Sequence, residues 1–302
     1  MPVLDLSTVP VKAGSIYPPP FADMMAGRSS LRLGQAGGLV QFGANLVILA
    51  PGARSSLRHW HQAEDELVLV LQGACTLVQD GGSAVMRPGD CAAFPAGLAD
   101  GHCLINDTGA EARFLVLGTK APTEVVTYSD VDLVFTHDGT TSVFTRKDGT
   151  AYLPGPADGT LPPHPPGHAP GGLLTLPDWQ EDNPTHPILG AGPGPYRYRL
   201  LSDPGGLTQF GAFIEELPPG SSSGHRHWHE AEDEMILMLD GQVVLVEDAE
   251  TVLNPGDVAA WPAGLPVGHR LDNRFDRPAR YLVVGMRLQR DRIHYSDHDL
   301  IT

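Results

Sequence analysis

Positive charge is scarce in this chain. Only 20 Lys and Arg stand against 36 Asp and Glu, a formal net charge of −16. The basic footprint that nucleic acid or an anionic membrane surface would require is therefore missing. Cysteine is scarcer still. Cys75, Cys91 and Cys103 are odd in number and confined to the first half, which argues against a disulfide framework and fits a reduced, cytoplasmic setting. No apolar run approaches membrane-spanning length. The opening Met-Pro-Val-Leu-Asp-Leu-Ser has neither a basic region nor an apolar core, so no signal peptide is expected. Long helical periodicity is absent as well.

Turn formers, by contrast, are plentiful. The 35 Gly and 28 Pro among 302 residues point to strands and turns, and the length suits about two domains. The chain also writes one pattern twice. First come His59-Trp60-His61, four residues, Glu66, six residues, Gly73, then Pro95-Ala96-Gly97, four residues, His102, three residues, Asn106. The same order and spacing return as His227-Trp228-His229, Glu234, Gly241, Pro262-Ala263-Gly264, His269 and Asn273.

The repeat reaches beyond these residues. Gln41-Phe42-Gly43-Ala44 returns as Gln209-Phe210-Gly211-Ala212, and Tyr128-Ser129-Asp130 as Tyr295-Ser296-Asp297. One residue is lost in the turn written Asp80-Gly81-Gly82 in the first copy, as expected of β domains that diverge at their turns. Short apolar runs at 66–71, 75–79, 90–94 and 113–118 read as strands. The expected architecture is all-β: two tandem antiparallel barrels or sandwiches, at 1–135 and 172–302. Between them, residues 136–171 hold a Pro- and Gly-rich stretch expected to be an exposed linker. His164 and His168 lie in it and are poorly placed to serve as ligands.

Three imidazoles and one carboxylate per copy suit a first-row divalent metal. On a strand, alternate side chains share a face, so His59 and His61 point together into the barrel while Trp60 packs outside; His227, His229 and Trp228 repeat this. Asp65 or Asp233 would suit a shorter spacer, but the six-residue step to glycine favours Glu66 and Glu234. Asn106 and Asn273 share the parity of His102 and His269, which makes them candidates to orient a ligand or substrate. Cys103 faces away.

These two segments resemble the two motifs of the cupin superfamily, and the tandem arrangement resembles a bicupin. The terminal Tyr-Ser-Asp-x-Asp-Leu and the Glu-Asp-Glu after each His-Trp-His resemble a bacterial metal-binding cupin family. The resemblance implies a double-stranded β-helix (jelly roll) and a divalent metal: Fe(II) is favoured, with Mn, Ni, Co or Zn as alternatives, up to two per chain. It also implies a small-molecule substrate, and a homodimer is an expected assembly.

The copies differ beside the ligands. Leu57 becomes His225, and Val47-Ile48 becomes Glu215-Glu216, so the second pocket is expected to carry extra acid–base groups, His225 and Glu216 foremost. No Arg cluster is evident inside either predicted pocket; Arg58 and Arg226 alternate outward. The expected function is a metal-dependent enzyme on a small oxygenated molecule, a dioxygenase-type oxidoreductase being favoured by analogy with other bicupins. Metal-dependent isomerase, lyase or decarboxylase chemistry, and non-catalytic binding, are the alternatives.

Overall fold

A computed structural model describes residues 2–153, 161–165, 167, 170–192 and 194–302. The first barrel is built on a six-stranded antiparallel sheet. Its order is Val11–Ala13, Arg28–Arg32, Phe42–Leu49, Ala112–Thr119, Glu66–Gln72 and Cys91–Phe94. Facing it are a hairpin sheet of Cys75–Gln79, Gly82–Met86 and Cys103–Ile105, and a second sheet that includes His59–His61 and Glu124–Tyr128. The second barrel repeats the plan with Gln180–Asp182, Tyr196–Leu200, Phe210–Leu217, Ala279–Met286, Glu234–Asp240 and Val258–Trp261. Both six-stranded sheets bury their two faces, and their apolar runs reflect this.

Alternation along each strand divides the work. Val47, Leu49, Val68, Val70 and Phe114 fill the first barrel; Leu217, Ile236, Met238 and Tyr281 fill the second. The opposite faces meet. Phe42, Leu67, Leu69, Leu115 and Leu117 form one continuous core with Phe210, Ala212, Met235, Leu237, Leu282 and Val284. The two barrels thus pack sheet to sheet, as expected of sandwiches.

Each barrel also lends a short arm to the other. Val3 bridges Ala259 and Leu4 N–H donates to Val258 O at 2.8 Å. Reciprocally, Leu173 bridges Ala92 and Leu174 N–H donates to Cys91 O at 2.9 Å. The edge strand of each sheet is thereby covered by the segment that precedes the other barrel, which removes an exposed pairing edge.

The stretch 136–171 is not all linker. Leu133–His137 and Ser142–Thr145 extend the sheet that holds His59–His61, and Phe144, Tyr152 and Leu161 pack with Phe21, Leu57 and Tyr128. Alternating apolar residues in Ser142-Val143-Phe144-Thr145 give the physical reason, which the neighbouring prolines obscure. Residues 154–160, 166 and 168–169, His168 included, lie outside the described residues. His164 joins no metal-ligating group among the described residues.

Two motif glycines are required by close approach. Gly73 and Gly241 have φ of 72° and 71°, a region that favours glycine. A Cβ would fall 2.3 Å from Glu111 O at the first and 2.5 Å from Pro278 O at the second.

Candidate metal centres

The short strand His59–His61 pairs with Glu124–Tyr128, and His59 also bridges His102. That cross-strand bridge carries the third imidazole to the other two. Ligand atoms of His59, His61 and Glu66 lie within 4.8 Å of one another, as do those of His227, His229 and Glu234. Glu66 Oε1 is 3.2 Å from His102 Nε2 and Oε2 is 3.4 Å from His61 Nε2. At the second centre, Glu234 Oε2 stands 3.2 Å from His269 Nε2 and 3.5 Å from His229 Nε2. All eight residues expected as ligands are therefore brought together in two groups of four.

The rings are held from behind. His59 Nδ1 meets Leu57 O at 2.9 Å and His227 Nδ1 meets His225 O at 2.8 Å. A carbonyl only accepts, so Nδ1 carries the proton and Nε2 is left with a lone pair for a metal. His102 stacks on Phe94 with ring centroids 3.6 Å apart, and His269 on Trp261 at 3.8 Å. Burial and two imidazole neighbours push His59 down to about 3, which keeps it neutral. Hydrogen bonds and attraction from the two His hold Glu66 well below the usual carboxylate range, against the effect of its own burial. Burial is outweighed at His61, where Glu124, Glu66 and Glu64 push the imidazole up to about 10, so a metal would have to displace its proton; three imidazoles facing a carboxylate in a buried cluster form a donor set that fits a divalent cation.

Carboxylates stand behind His61 and His229. Glu64 and Glu124 each place an oxygen 3.7 Å from His61 Nδ1, and Asp291 Oδ2 lies 2.6 Å from His229 Nδ1. Glu124 and Asp291 occupy equivalent places, four residues before Tyr128 and Tyr295. Extending the repeat to acids would have found them. Asn106 and Asn273 do not have this role. Asn106 Nδ2 donates to Leu49 O and Ala110 O while its oxygen accepts from Thr108, so the side chain is spent on a turn. Asn273 does the same with Leu217 O, Arg277 O and Phe275 N. Both strands end one residue earlier, at Ile105 and Asp272, and strand parity does not survive that end.

Asp65 and Asp233 serve the junction between barrels. Asp65 Oδ2 accepts from Thr208 N and Gln209 N, and Oδ1 from Ala96 N. Asp233 mirrors it with Val40 N, Gln41 N and Ala263 N.

The strand Phe210–Leu217 settles the acid pair. Glu215 points into the barrel and accepts from Tyr281 Oη. Burial and the charge of Glu234 push its carboxyl up to about 7, against that hydrogen bond. Glu216 faces the other way, between Arg197 at 2.6 Å and Arg280 at 2.5 Å, so the catalytic role expected of Glu216 is excluded. His225 lines a cavity of about 350 Å³ at the second centre together with the ligand His227, His186 and Tyr295. Trp228 stacks on His294 at 3.9 Å on the outer side, as its parity required. Cys103 is buried with Val78 and Ile105, and burial pushes its thiol up to about 12. Arg58 leaves the pocket for ion pairs with Asp80 and Asp130.

The first centre opens into a cavity of about 540 Å³ bordered by His59 and His61. Lys12, Arg28, Arg32 and Lys120 line it, with Ser30, Asn45, Ser55 and Ser56. None of these four cations forms an ion pair among the described residues. Arg28 Nε is buried and has no hydrogen-bond partner. These cations lie outside the repeated motifs, so the expectation of a pocket without an arginine cluster is corrected for the first barrel.

Two closed β barrels, each with a three-His, one-carboxylate cluster at its mouth, define a two-barrel protein built to hold divalent metals. The family model for the cupin domain matches residues 45–118 and 213–285. The chain is 55% identical to a half-length structure from Silicibacter pomeroyi DSS-3, described as a sugar phosphate isomerase from a cupin superfamily; the match covers 50% of this chain and 96% of that one, with a TM-score of 0.49. Over nearly the whole chain it is similar in fold to a putative glyoxylate induced protein from Pseudomonas aeruginosa (17% identity, 93% and 90% covered, TM-score 0.56). It is also similar to oxalate decarboxylase from Lactobacillus farciminis (17% identity, 96% and 88% covered, TM-score 0.54). No curated protein matches it. The chain belongs to the cupin superfamily and carries two cupin domains.

Proposed function

We propose that the protein is a metal-dependent enzyme whose substrate, a small oxygenated anion, binds at the first barrel. The observation that carries this is the group of four cations around the cavity at His59 and His61, none with a carboxylate partner among the described residues although Lys120 donates to Leu39 O and Arg32 to Gln35, in a chain of net charge −16. Unpaired cations crowded together are unfavourable, and burial together with Arg32 and Arg28 lowers the Lys12 pKa. An anion bound among them would relieve that repulsion. A metal held by His59, His61, Glu66 and His102 would polarise a carbonyl or hydroxyl of the substrate. Arg28, which feels the charge of Glu66 and has a buried Nε without a partner, would capture the anionic group; Lys12, Arg32 and Lys120 would draw it in. Ser30, Ser55, Ser56 and Asn45 offer neutral partners for hydroxyls.

The second barrel presents a different lining at its centre. Ser30 lies opposite Val47 and Arg32 opposite Asn45; the corresponding pairs are Tyr198 with Glu215 and Leu200 with Phe213. One step further along the same face, Tyr196 takes the place of Arg28. Aromatic rings and a carboxyl thus take the places of cations, which moves the weight to the first pocket from the second, where the sequence predicts added acid–base groups at His225 and Glu216.

This reading favours Lewis-acid isomerisation, elimination or decarboxylation over the dioxygenase reaction, since a charge-lined polar cavity suits a charged, oxygen-rich substrate. The name of the half-length relative makes phosphorylated sugars the first compounds to try; the cations carry the proposal. The test is titration of the metal-loaded protein with phosphorylated sugars, sugar acids and their neutral parents, with oxygen uptake recorded in parallel. Anions should bind and neutral parents should not, and Arg28→Gln should weaken binding by about ten- to a hundredfold, the worth of a charged hydrogen bond, at unchanged metal content. Binding indifferent to charge, or an unaffected Arg28→Gln, overturns the assignment. Oxygen consumption with turnover would restore the dioxygenase reading.

A further inference from the structure

A second cavity, of about 690 Å³, lies between the barrels and away from both metal centres. Leu46, Leu69 and Leu71 of the first barrel line it, with Leu237, Leu239 and Trp179 of the second. Leu46, Leu71, Leu239 and Trp179 are only half-buried there, so the shared core stops short of closing the wedge between the two sheets. A concave apolar cavity of this size is of the kind that takes small molecules.

One residue in it is out of place. Arg199 sits opposite Ile214, where the first barrel sets Leu31 opposite Leu46, and Leu31 packs on the shared core. Arg199 lines the cavity, and its Nε is buried without a hydrogen-bond partner. Its neighbours differ. Arg197 and Arg280 share Glu216, and Arg113 pairs with Glu111, whereas Arg199 has no carboxylate partner among the described residues and rests on the Trp179 ring at 4.7 Å. The acid that lines the cavity, Asp240, is exposed and registers with Arg280. A guanidinium placed in an apolar cleft without a counter-ion is costly and calls for a reason.

We propose that this cleft binds a small amphiphilic carboxylate, a fatty acid anion, whose chain lies along Leu46, Leu71 and Leu239 and whose head group pairs with Arg199. The chain would complete the apolar wedge between the sheets, and the carboxylate would accept from the orphaned Nε–H. A bidentate pair with guanidinium favours a carboxylate head over a hydroxyl. The site makes no use of the metal centres, so its failure would leave the proposed enzyme function untouched.

The test is calorimetric titration of the full chain with dodecanoate, octanoate and dodecanol, with the molar mass measured by light scattering. Dodecanoate should bind one per chain. Affinity should fall by up to about fourfold per methylene removed, the worth of a buried CH₂, and dodecanol should bind at least about tenfold more weakly. Arg199→Leu, which copies the first barrel, should fold with equal or higher thermal stability and lose the preference for the acid over the alcohol. Leu71→Trp, which fills the cleft, should abolish binding of both. Absence of saturable binding, an equal response to acid and alcohol, or an Arg199→Leu protein that binds dodecanoate as before would overturn the proposal. So would a dimer whose 69–71 and 237–239 amides are protected by a second copy.

Discussion

Asp65→Ala removes one carboxylate from the junction of the two barrels. Asp65 is 2% exposed and accepts three backbone N–H groups: Ala96 at 2.8 Å, Thr208 at 2.7 Å and Gln209 at 2.9 Å. Two of these donors belong to the other barrel. Gln209 returns the contact, taking Asp65 N–H on Oε1 and giving its own amide to Ala63 O at 2.8 Å. Alanine leaves three backbone donors without that acceptor, those of Ala96 and Gln209 half-buried and that of the exposed Thr208 open to water. At about 1–3 kcal/mol for each buried unsatisfied group, partly relieved by relaxation, the loss should come to about 3–5 kcal/mol. That is a large share of a typical stability of about 5–15 kcal/mol.

Urea unfolding of the metal-loaded protein measures the total, and hydrogen exchange localises it. The Thr208 and Gln209 amides should lose protection while Val40 and Gln41, held by Asp233, keep theirs. Asp233→Ala should produce the mirror image. The two clamps share no partner, so the double variant should be close to additive. Metal content serves as control because Glu66 is adjacent. A loss under about 1 kcal/mol, with unchanged exchange at Thr208 and Gln209, would refute the assignment of Asp65 as an inter-barrel clamp.

The remaining predictions concern the centres. Metal reconstitution should approach two equivalents per chain, with His59→Ala/His61→Ala keeping one; a wild-type protein that stays metal-free in elemental analysis would count against both sites. Glu124→Ala should weaken metal binding at the first centre by about 10–100-fold in chelator competition, as expected when the carboxylate behind a ligand imidazole is lost, and Asp291→Ala should do so at the second. For Glu215, burial sets the folded pKa at about 7, above the unfolded value of about 4.3. The folded state then holds the proton more tightly, so the carboxyl's contribution is harmless below about pH 4.3 and becomes destabilising as pH rises to 7, by about 3 kcal/mol in all. Glu215→Gln keeps an acceptor for Tyr281 and should flatten the stability profile between pH 5 and 7; parallel profiles for wild type and variant would remove Glu215 from the account.

The ligands were legible in the sequence because coordination chemistry restricts them to a few residue types, and the repeat states the spacing twice. Glu66 and Glu234 could be preferred to their aspartate neighbours for the same reason, since the step to an obligatory glycine fixes the strand. Parity failed where strands end. Asn106 and Asn273 follow the last paired residue, so alternation predicted a direction that the turn does not keep. It also could not choose between Glu215 and Glu216, because one residue of register exchanges the two faces of a strand. The ladder to Tyr196–Leu200 decides it. The cations were missed for a different reason: Arg28 and Arg32 reach the cavity from a strand remote in sequence from the motifs. The alternation Arg28, Ser30, Arg32 was nevertheless a signal for one polar, inward face.

Comparison of the two barrels separates what the fold demands from what the chemistry uses. The four ligands, the clamp acids Asp65 and Asp233, Gln41 with Gln209, and the glycines at 73 and 241 are the same in both copies, and each satisfies a constraint that both barrels share. The inward faces beside the ligands are not the same. Arg28, Ser30 and Arg32 line the cavity of the first barrel, with Val47 beside them in its core, while Tyr196, Tyr198, Leu200 and Glu215 occupy the same positions in the other barrel. Nothing in barrel closure or metal ligation requires this difference, since each version closes the same sheet around the same ligands. A residue set that differs in charge character beside identical ligands is where ligand preference can diverge. On the function proposed above, the first centre would take an anion, and the second, with a carboxyl and two tyrosines on that face, would disfavour one.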